Sequence, residues 1–346
     1  MQNIIGRLSI IVSVYNCDAL VKRCIDSIIV SLGGQLPEFI IVDNARSETT
    51  RDLINKYAHF GIQYYPMPKD MGFAGANNIG FQHSTKEFVV LVNSDTVFHD
   101  NPFPSLLSFM DSHPKAMVAQ GTVCFENDTP DENGKLDTCG GGITTSGRIT
   151  NPANKKDPSN PEFSSPRKIF YAYGALFLFR REAVMLSGGF LFKDEFYAYY
   201  EEADFCHRIW LSGHEVWYVP TPIVGHAHTA TFKKQHDMNK LNILCLSNRR
   251  LSFLSCYELH TLLKLFTLSE LLLILNAFGG FLLHGNLEAL KSYFLCHFRS
   301  IRLLPTALRR RKTIQHLRKV SDKELQELLF EPATFKDLVK EARGMI

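Results

Sequence analysis

Carboxylates and imidazoles stand at places along this chain where they could do chemistry. Asp95 closes the run Val89-Val90-Leu91-Val92-Asn93-Ser94-Asp95. A carboxylate there can ligate a hard divalent cation that keeps waters or phosphate oxygens among its other ligands, or it can cap a helix. Asp43 closes Phe39-Ile40-Ile41-Val42. It can accept a hydrogen bond from the imide N–H of a uracil or thymine base, or form a turn with Asn44. Glu201, Glu202 and Asp204 crowd together beneath the aromatic run Phe196-Tyr197-Ala198-Tyr199-Tyr200. Their repulsion can raise one pKa and suit that group to base work; a solvated acidic helix start is the other reading. His226 and His228 alternate, so in extended chain they share a face and could complete a metal shell, or serve as ordinary core or surface residues.

The elements that must carry these groups are legible in the periodicity. Leu8–Val14 is rich in β-branched residues and stops at Tyr15-Asn16, and Asp18 can cap a helix whose Leu20, Cys24, Ile28 and Leu32 share one face. Phe39–Val42, Ile62–Tyr65 and Val89–Val92 read as further strands, the last buried on both faces. A short helix over Thr50–Tyr57 and the glycine-containing stretch Gly72–Gly80 separate them. This βαβαβαβ order demands right-handed crossovers and a parallel sheet. Ligands of such sheets bind outside the carboxyl ends of the strands, so Tyr15, Asp43 and Asp95 should line one crevice.

Beyond it the pattern predicts a helix over Phe103–Met110, a strand over Met117–Cys124 and a hairpin turn at Asn133-Gly134. Residues 126–168 are otherwise irregular, and so long a stretch is often functional. A strand over Phe170–Phe179, a helical segment after Glu201-Glu202-Ala203-Asp204 that runs through Arg208 and Leu211 to Gly213, and a strand over Val216–Val219 follow.

The chain has 346 residues and a net charge of +3, enough for one domain with an extension or two domains. Its eight cysteines form no CxxC pair, which argues for free thiols in a reducing compartment. Leu8–Val14 is too short for a signal peptide and lacks a cleavage region. Leu262–Leu283 is apolar almost all round but holds Lys264, Glu270 and Asn276. Arg299, Arg302, Arg309, Arg310, Arg311, Lys312, Arg318 and Lys319 follow it. An apolar helix beside a polybasic segment suits an anionic membrane surface met from the cytoplasmic side; a helical subdomain packed on the core is the alternative. A nucleic-acid partner is disfavoured, because the basic run lacks interleaved aromatic residues.

Several stretches together resemble the motifs of inverting family 2 glycosyltransferases, in the same order. They are Ser9–Asn16 (SIIVSVYN), Val42–Thr50 (VDNARSETT), Gly72–Gly80 (GFAGANNIG), Leu91–Thr96 (LVNSDT), Gly188-Gly189-Phe190, Phe196–Arg208 (FYAYYEEADFCHR), Gly213 and His226. Leu136–Gly147 (LDTCGGGITTSG) resembles the glycine-bearing insert of the rhamnosyltransferase-like subgroup. The resemblance covers roughly residues 7–250.

It implies an α/β fold of GT-A type, a Rossmann-like, mostly parallel sheet flanked by helices. Residues 1–245 would be the catalytic domain and 246–346 a helical, basic, membrane-associating extension. By the same resemblance Asp43 pairs with the pyrimidine base, Tyr15 lies near it, and Asn77, Asn78 and Asn93 lie along the donor. Asp95 and His226, with His228 as fallback, would hold Mg²⁺ or Mn²⁺, and Glu202 would be the base with Asp204 the later acid. The sequence departs from the family in Asn93-Ser94-Asp95, which leaves a single carboxylate, in Asp70 where Asn is usual, and in Glu202 where Asp is usual. The implied reaction is inverting transfer of a sugar, rhamnose from dTDP-rhamnose before UDP-hexoses, to a saccharide or lipid-linked saccharide of a bacterial surface polysaccharide. It would take place at the inner face of the cell membrane. A non-catalytic sugar-nucleotide- or glycan-binding protein on the same fold is the alternative. A nucleotidyltransferase is disfavoured because Tyr15-Asn16-Cys17-Asp18 holds no glycine-rich phosphate loop.

Overall fold

The computed structural model describes residues 5–16, 18–127, 129–227, 238–285 and 287–334. Strands β1 (Leu8–Val14), β2 (Glu38–Asp43), β3 (Gln63–Pro66) and β4 (Phe88–Asn93) lie in the order β3-β2-β1-β4, all parallel. Helices α1 (Asp18–Ser31), α2 (Glu48–Asn55) and α3 (Gly72–His83) connect them. The unbroken aliphatic runs are explained by two cores, one on each face of the sheet. Ile11, Ile40 and Leu91 enter one, and Ile10, Val12, Ile41 and Val90 enter the other.

The next segment departs from the sequence pattern. After β5 (Thr96–Phe98) and α4 (Phe103–Ser112), the strand expected over Met117–Cys124 is two strands, β6 (Ala116–Gln120) and β7 (Val123–Phe125), in different sheets. The break falls at Gly121, where a Cβ would meet Leu176 Cδ2 at 2.3 Å, so the missing side chain lets the backbone pass close to Leu176. The insert contributes β8 (Leu136–Thr138), β9 (Gly142–Thr144), β10 (Ile149–Thr150) and β11 (Arg167–Lys168). The strand expected over Phe170–Phe179 is only β12 (Phe177–Arg180), because Phe170 and Tyr171 pair with Gly141 of the insert instead. Then come α5 (Glu201–Leu211), β13 (Glu215–Tyr218) and β14 (Val224–His226).

The main sheet runs β11-β13-β6-β12-β4-β1-β2-β3, with β12 antiparallel to both neighbours, and a second sheet runs β5-β14-β7-β8. Helices α6 (Met238–Cys256), α7 (Leu259–His284), α8 (Leu287–Leu317) and α9 (Asp322–Leu329) complete the chain, and β15 (Phe330–Glu331) pairs with β9. Residue 245 lies inside α6, and one apolar core runs across it, joining Phe177, Phe205 and Trp210 to Leu251, Phe253, Ala307 and Ile314.

Candidate active site

The register places the expected residues at one sheet edge. Val14 lies opposite Asp43 on β2, and Ser13 opposite Asn93 on β4, so Tyr15, Asp43 and Asn93 to Asp95 leave adjacent strands on the same side.

Asp43 is fully buried and organises the turn that follows it. Its Oδ1 accepts from the N–H groups of Ala45 and Arg46 at 2.9 and 3.0 Å, and its Oδ2 from Ser47 N–H at 3.0 Å and Tyr64 O–H at 2.7 Å. A carboxylate has about four acceptor positions, so those of Asp43 are taken by protein. The turn-forming role weighed in the sequence is present, and a base would have to displace one of these donors.

Asp95 ends in contact with His226, which β14 brings beside β5 by pairing His226 with Thr96. Asp95 Oδ1 lies 3.1 Å from His226 Nε2, and Asn93 Nδ2 lies 3.3 Å from the same nitrogen. The other ring nitrogen, Nδ1, donates to Asp137 Oδ2 at 2.6 Å. Burial would lower the His226 pKa, but the flanking carboxylates outweigh it and raise it to about 10. A carboxylate oxygen and an imidazole nitrogen at this spacing suit one divalent ion, since ligands bound at roughly 2.1 Å in octahedral array lie about 3 Å apart. The Asp137–His226 bond is the arrangement that turns a histidine's free nitrogen toward a metal. No group of three metal-ligating side chains forms among the described residues, so phosphate oxygens and water would fill the remaining positions. His228 lies outside the described residues.

The acidic motif separates into different roles on α5. Residues two apart on a helix point to nearly opposite sides. Asp204 is buried between Lys193 Nζ at 2.7 Å and Arg208 Nε at 3.0 Å. Although burial alone would raise its pKa, those cations hold it at about 2. This corrects the expected acid role: Asp204 is an ionised anchor locked in the core. Glu202 is only partly buried and accepts from Gly174 N–H at 3.2 Å. Burial against the surrounding protein pushes its pKa to about 7, against the pull of backbone N–H donors. Glu201 is 3% exposed, and burial followed by the neighbouring Glu202 charge raises its pKa.

Gly174 links this carboxylate to the Asp95–His226 pair. Its neighbour Ala175 receives Thr96 Oγ1 at 3.5 Å, one residue from Asp95, and β12 runs antiparallel to β4 with Phe177 opposite Leu91. Glu202 and Asp95 therefore flank one edge.

Asn77 and Asn78 require correction too. Asn77 is buried and donates to Phe73 O at 2.9 Å. Asn78 donates to Phe192 O at 3.0 Å and accepts from Phe192 N at 3.0 Å, so it ties α3 to the loop before α5. Asn78 also donates to Asp194 Oδ1 at 2.5 Å, so both amides are engaged within the protein. Tyr15 is half-buried directly after β1. Asp70, the departure noted above, accepts from Gly72 N–H at 2.9 Å and from the Tyr197 hydroxyl.

Periodicity gave no sign of two further residues. Asp137 sits in the glycine-bearing insert, a lone carboxylate in a short strand. Asn248 is a fully buried polar residue inside α6, whose Nδ2 faces the carbonyls of Phe196, Ala198 and Tyr199 at 2.9, 3.0 and 2.7 Å.

Known proteins resemble this chain over the same elements. Agl10 of Haloferax volcanii, a low-salt glycan biosynthesis hexosyltransferase, is 25% identical over 217 residues, or 60% of this chain. The match spans 62% of Agl10, less than two thirds of its length. AmsE of Erwinia amylovora, an amylovoran biosynthesis glycosyltransferase, is 21% identical over 216 residues, covering 61% of this chain and 73% of AmsE. GalNAc-T7, crystallised with UDP, GalNAc and Mn²⁺, superposes with a TM-score of 0.51 at 16% identity, over 64% of this chain and 43% of its own, and shows a shared fold. Residues 9–186 match the family described as Glycosyl transferase family 2, and with more than half of its length inside that match the chain belongs to this family.

Proposed function

We propose that the protein is an inverting, metal-dependent glycosyltransferase that moves a sugar from a nucleoside-diphosphate sugar to a saccharide or lipid-linked saccharide. The observation that carries this reading is a partly exposed carboxyl of pKa about 7, Glu202, at the edge that also holds the Asp95–His226 pair. Glu202 takes the proton of an acceptor hydroxyl as it attacks the anomeric carbon. Asp95 and His226 hold Mg²⁺ or Mn²⁺, which when bound neutralises the leaving diphosphate. The turn shaped by Asp43, with Tyr15 beside it, flanks the pyrimidine base, and Asn93 lies along the donor. The Mn²⁺ and UDP bound by GalNAc-T7 support the metal and nucleotide classes. The names of Agl10 and AmsE support a role in glycan or polysaccharide assembly. The likeness of Leu136–Gly147 to the rhamnosyltransferase-like insert favours dTDP-rhamnose as donor, with UDP-hexoses next.

The same proposal places the protein peripherally at the cytoplasmic membrane face. Leu259–Gly279 is long and apolar enough to cross a bilayer. However, Glu270 within it pairs with Arg250 of α6 and with His297 of α8 at 2.7 Å. A helix so tied by a carboxylate to its neighbours lies on the membrane rather than through it.

Thermal stabilisation by UDP and dTDP with and without Mn²⁺ tests the reading. A ligand bound only by the folded state must raise Tm, and Mn²⁺ should strengthen the effect. Release of the nucleoside diphosphate from UDP- and dTDP-sugars then tests transfer. No stabilisation by either nucleotide in the presence of Mn²⁺ would count against transfer and sugar-nucleotide binding alike and leave a glycan-binding module. Stabilisation without release of the nucleoside diphosphate would count for the non-catalytic sugar-nucleotide binder.

A further inference from the structure

The segment that delivers Glu202 is held from the far end of the chain. Tyr197, Tyr199 and Tyr200 have φ of +64°, +69° and +76°, the left-handed region that bulky residues avoid unless their surroundings enforce it. Tyr200 is the residue from which α5 starts, and its carbonyl receives Asp204 N–H at 2.9 Å, closing the helical turn that contains Glu202. The enforcing group is Asn248 of α6, whose single amide spans the carbonyls of Phe196, Ala198 and Tyr199. Arg299 of α8 fixes that amide in turn. Its Nη1 donates to Asn248 Oδ1 at 2.8 Å, and its Nη2 donates to Glu195 O, just before the strained run. Arg310, about three turns further along α8, donates to Glu195 Oε2 at 2.9 Å. On the opposite side Tyr197 O receives Ala74 N–H at 3.0 Å, so the run is clamped between α3 and the C-terminal helices.

We propose that Asn248 and Arg299 are positioning residues for the base, so that α6 and α8 belong to the catalytic apparatus. This deepens the reading of Glu202 as the base and rests on it. An amide is the group the place requires. It donates to carbonyls through Nδ2 while accepting from a guanidinium through Oδ1, which neither Asp nor Leu can do. Glu202 is otherwise faced by Glu201, Tyr171, Tyr173, Tyr199 and Cys206, none of which determines where α5 begins.

The test compares the full-length wild type with Asn248→Ala, Arg299→Ala and Glu202→Gln. It measures UDP and dTDP affinity with Mn²⁺, hydrogen exchange, and the pH dependence of kcat for whichever UDP- or dTDP-sugar the wild type turns over. In Asn248→Ala we expect faster exchange at residues 196–205, unchanged exchange in β1 and β4, and nucleotide affinity within about twofold of wild type. Misplacing the base should lower kcat by roughly 100-fold with donor KM unchanged, and should shift the acid limb of the pH profile. Arg299→Ala, at a half-buried site, should show the same signature more weakly and guards against a misfolded Asn248 variant. Exchange and kcat both near wild type in folded Asn248→Ala and Arg299→Ala, with Glu202→Gln inactive, would overturn the positioning role alone. A parallel fall of kcat, nucleotide affinity and Tm would also overturn it, in favour of plain structural support. An active Glu202→Gln would remove the base assignment first.

Discussion

A base must be unprotonated to accept a proton, and a carboxyl that titrates near 7 changes state within the working range of an enzyme. Burial raises Glu202 to about 7, so transfer should rise with pH through that value. Glu202→Gln should cut turnover by roughly 100-fold or more while leaving nucleotide affinity nearly unchanged. Lost nucleotide binding with normal turnover would contradict the role. The same shift has a stability consequence. Between the ordinary value of 4.5 and about 7 the folded protein keeps a proton that the unfolded chain has released. Stability therefore falls as pH rises across that window. Glu202→Gln should lose less stability there than wild type, as urea melts at pH 5 and pH 7 would show. Asp137 acts at the same scale. Without its acceptor the His226 ring loses its orientation, so Asp137→Ala should weaken Mn²⁺ binding by roughly 10- to 100-fold. Asp137→Asn, which keeps an acceptor oxygen, should weaken it less. Paramagnetic resonance of free Mn²⁺ over the whole protein reads this without any assay of transfer. The sequence singled out Asp95, Glu202 and His226 as candidates through the motifs that resemble the family, and the structure sets Asp95 and His226 3.1 Å apart. The sequence did not reveal which carboxylates were already spent. Three donors to Asp43 lie within four residues of it and Arg208 stands one helical turn from Asp204, but Tyr64 and Lys193 reach these carboxylates from other elements, which no local pattern encodes.

Elements were legible where burial is regular and illegible where packing interrupts it. The parallel strands read correctly because both their faces are covered, whereas Met117–Cys124 has equal apolar character but must bend at Gly121 around Leu176. The insert was legible only as irregular, since its short strands are made by long-range pairing with Tyr171 and with β15. At the start of α3 glycine is compulsory. Gly72 has φ +67°, and a Cβ there would meet Tyr197 O at 2.2 Å, in the same strained run that precedes α5. Gly134, at the hairpin turn, has φ +77° but open space around it. Gly134→Ala should therefore cost only the conformational strain, about 1–2 kcal/mol. Gly72→Ala adds a backbone clash to a similar strain, so its loss should exceed that of Gly134→Ala and reach beyond ~2 kcal/mol. Chemical denaturation of the two variants side by side checks the order. Equal losses would mean that the α3 start can move away from Tyr197 without cost.

At the scale of the whole molecule, α7 and α8 pack against one another and leave a surface that water alone does not suit. Leu271, Leu275 and Leu282 on α7, and Phe294, Phe298 and Ile301 on α8, are each between 54% and 78% exposed. Exposed Lys291, Arg302, Arg309 and Lys312 stand along α8 among these apolar groups. Apolar side chains can enter the acyl boundary while the cations meet anionic headgroups, each cation contributing about 1 kcal/mol near the surface. Full-length protein should therefore sediment with phosphatidylglycerol vesicles and not with phosphatidylcholine vesicles, and added salt should weaken the binding. Arg309→Ala with Lys312→Ala should reduce binding roughly 30-fold by that arithmetic, and the uncharged Phe298→Ser should reduce it through the apolar term instead, with little change in its salt dependence. Release from cell membranes distinguishes lying on the bilayer from crossing it. A protein held by this surface should leave in high salt or carbonate, whereas a spanning α7 would require detergent and would have to carry Glu270 into the hydrocarbon away from Arg250 and His297. Vesicle binding that ignores both lipid charge and salt would remove the basic face from the explanation and leave the apolar one.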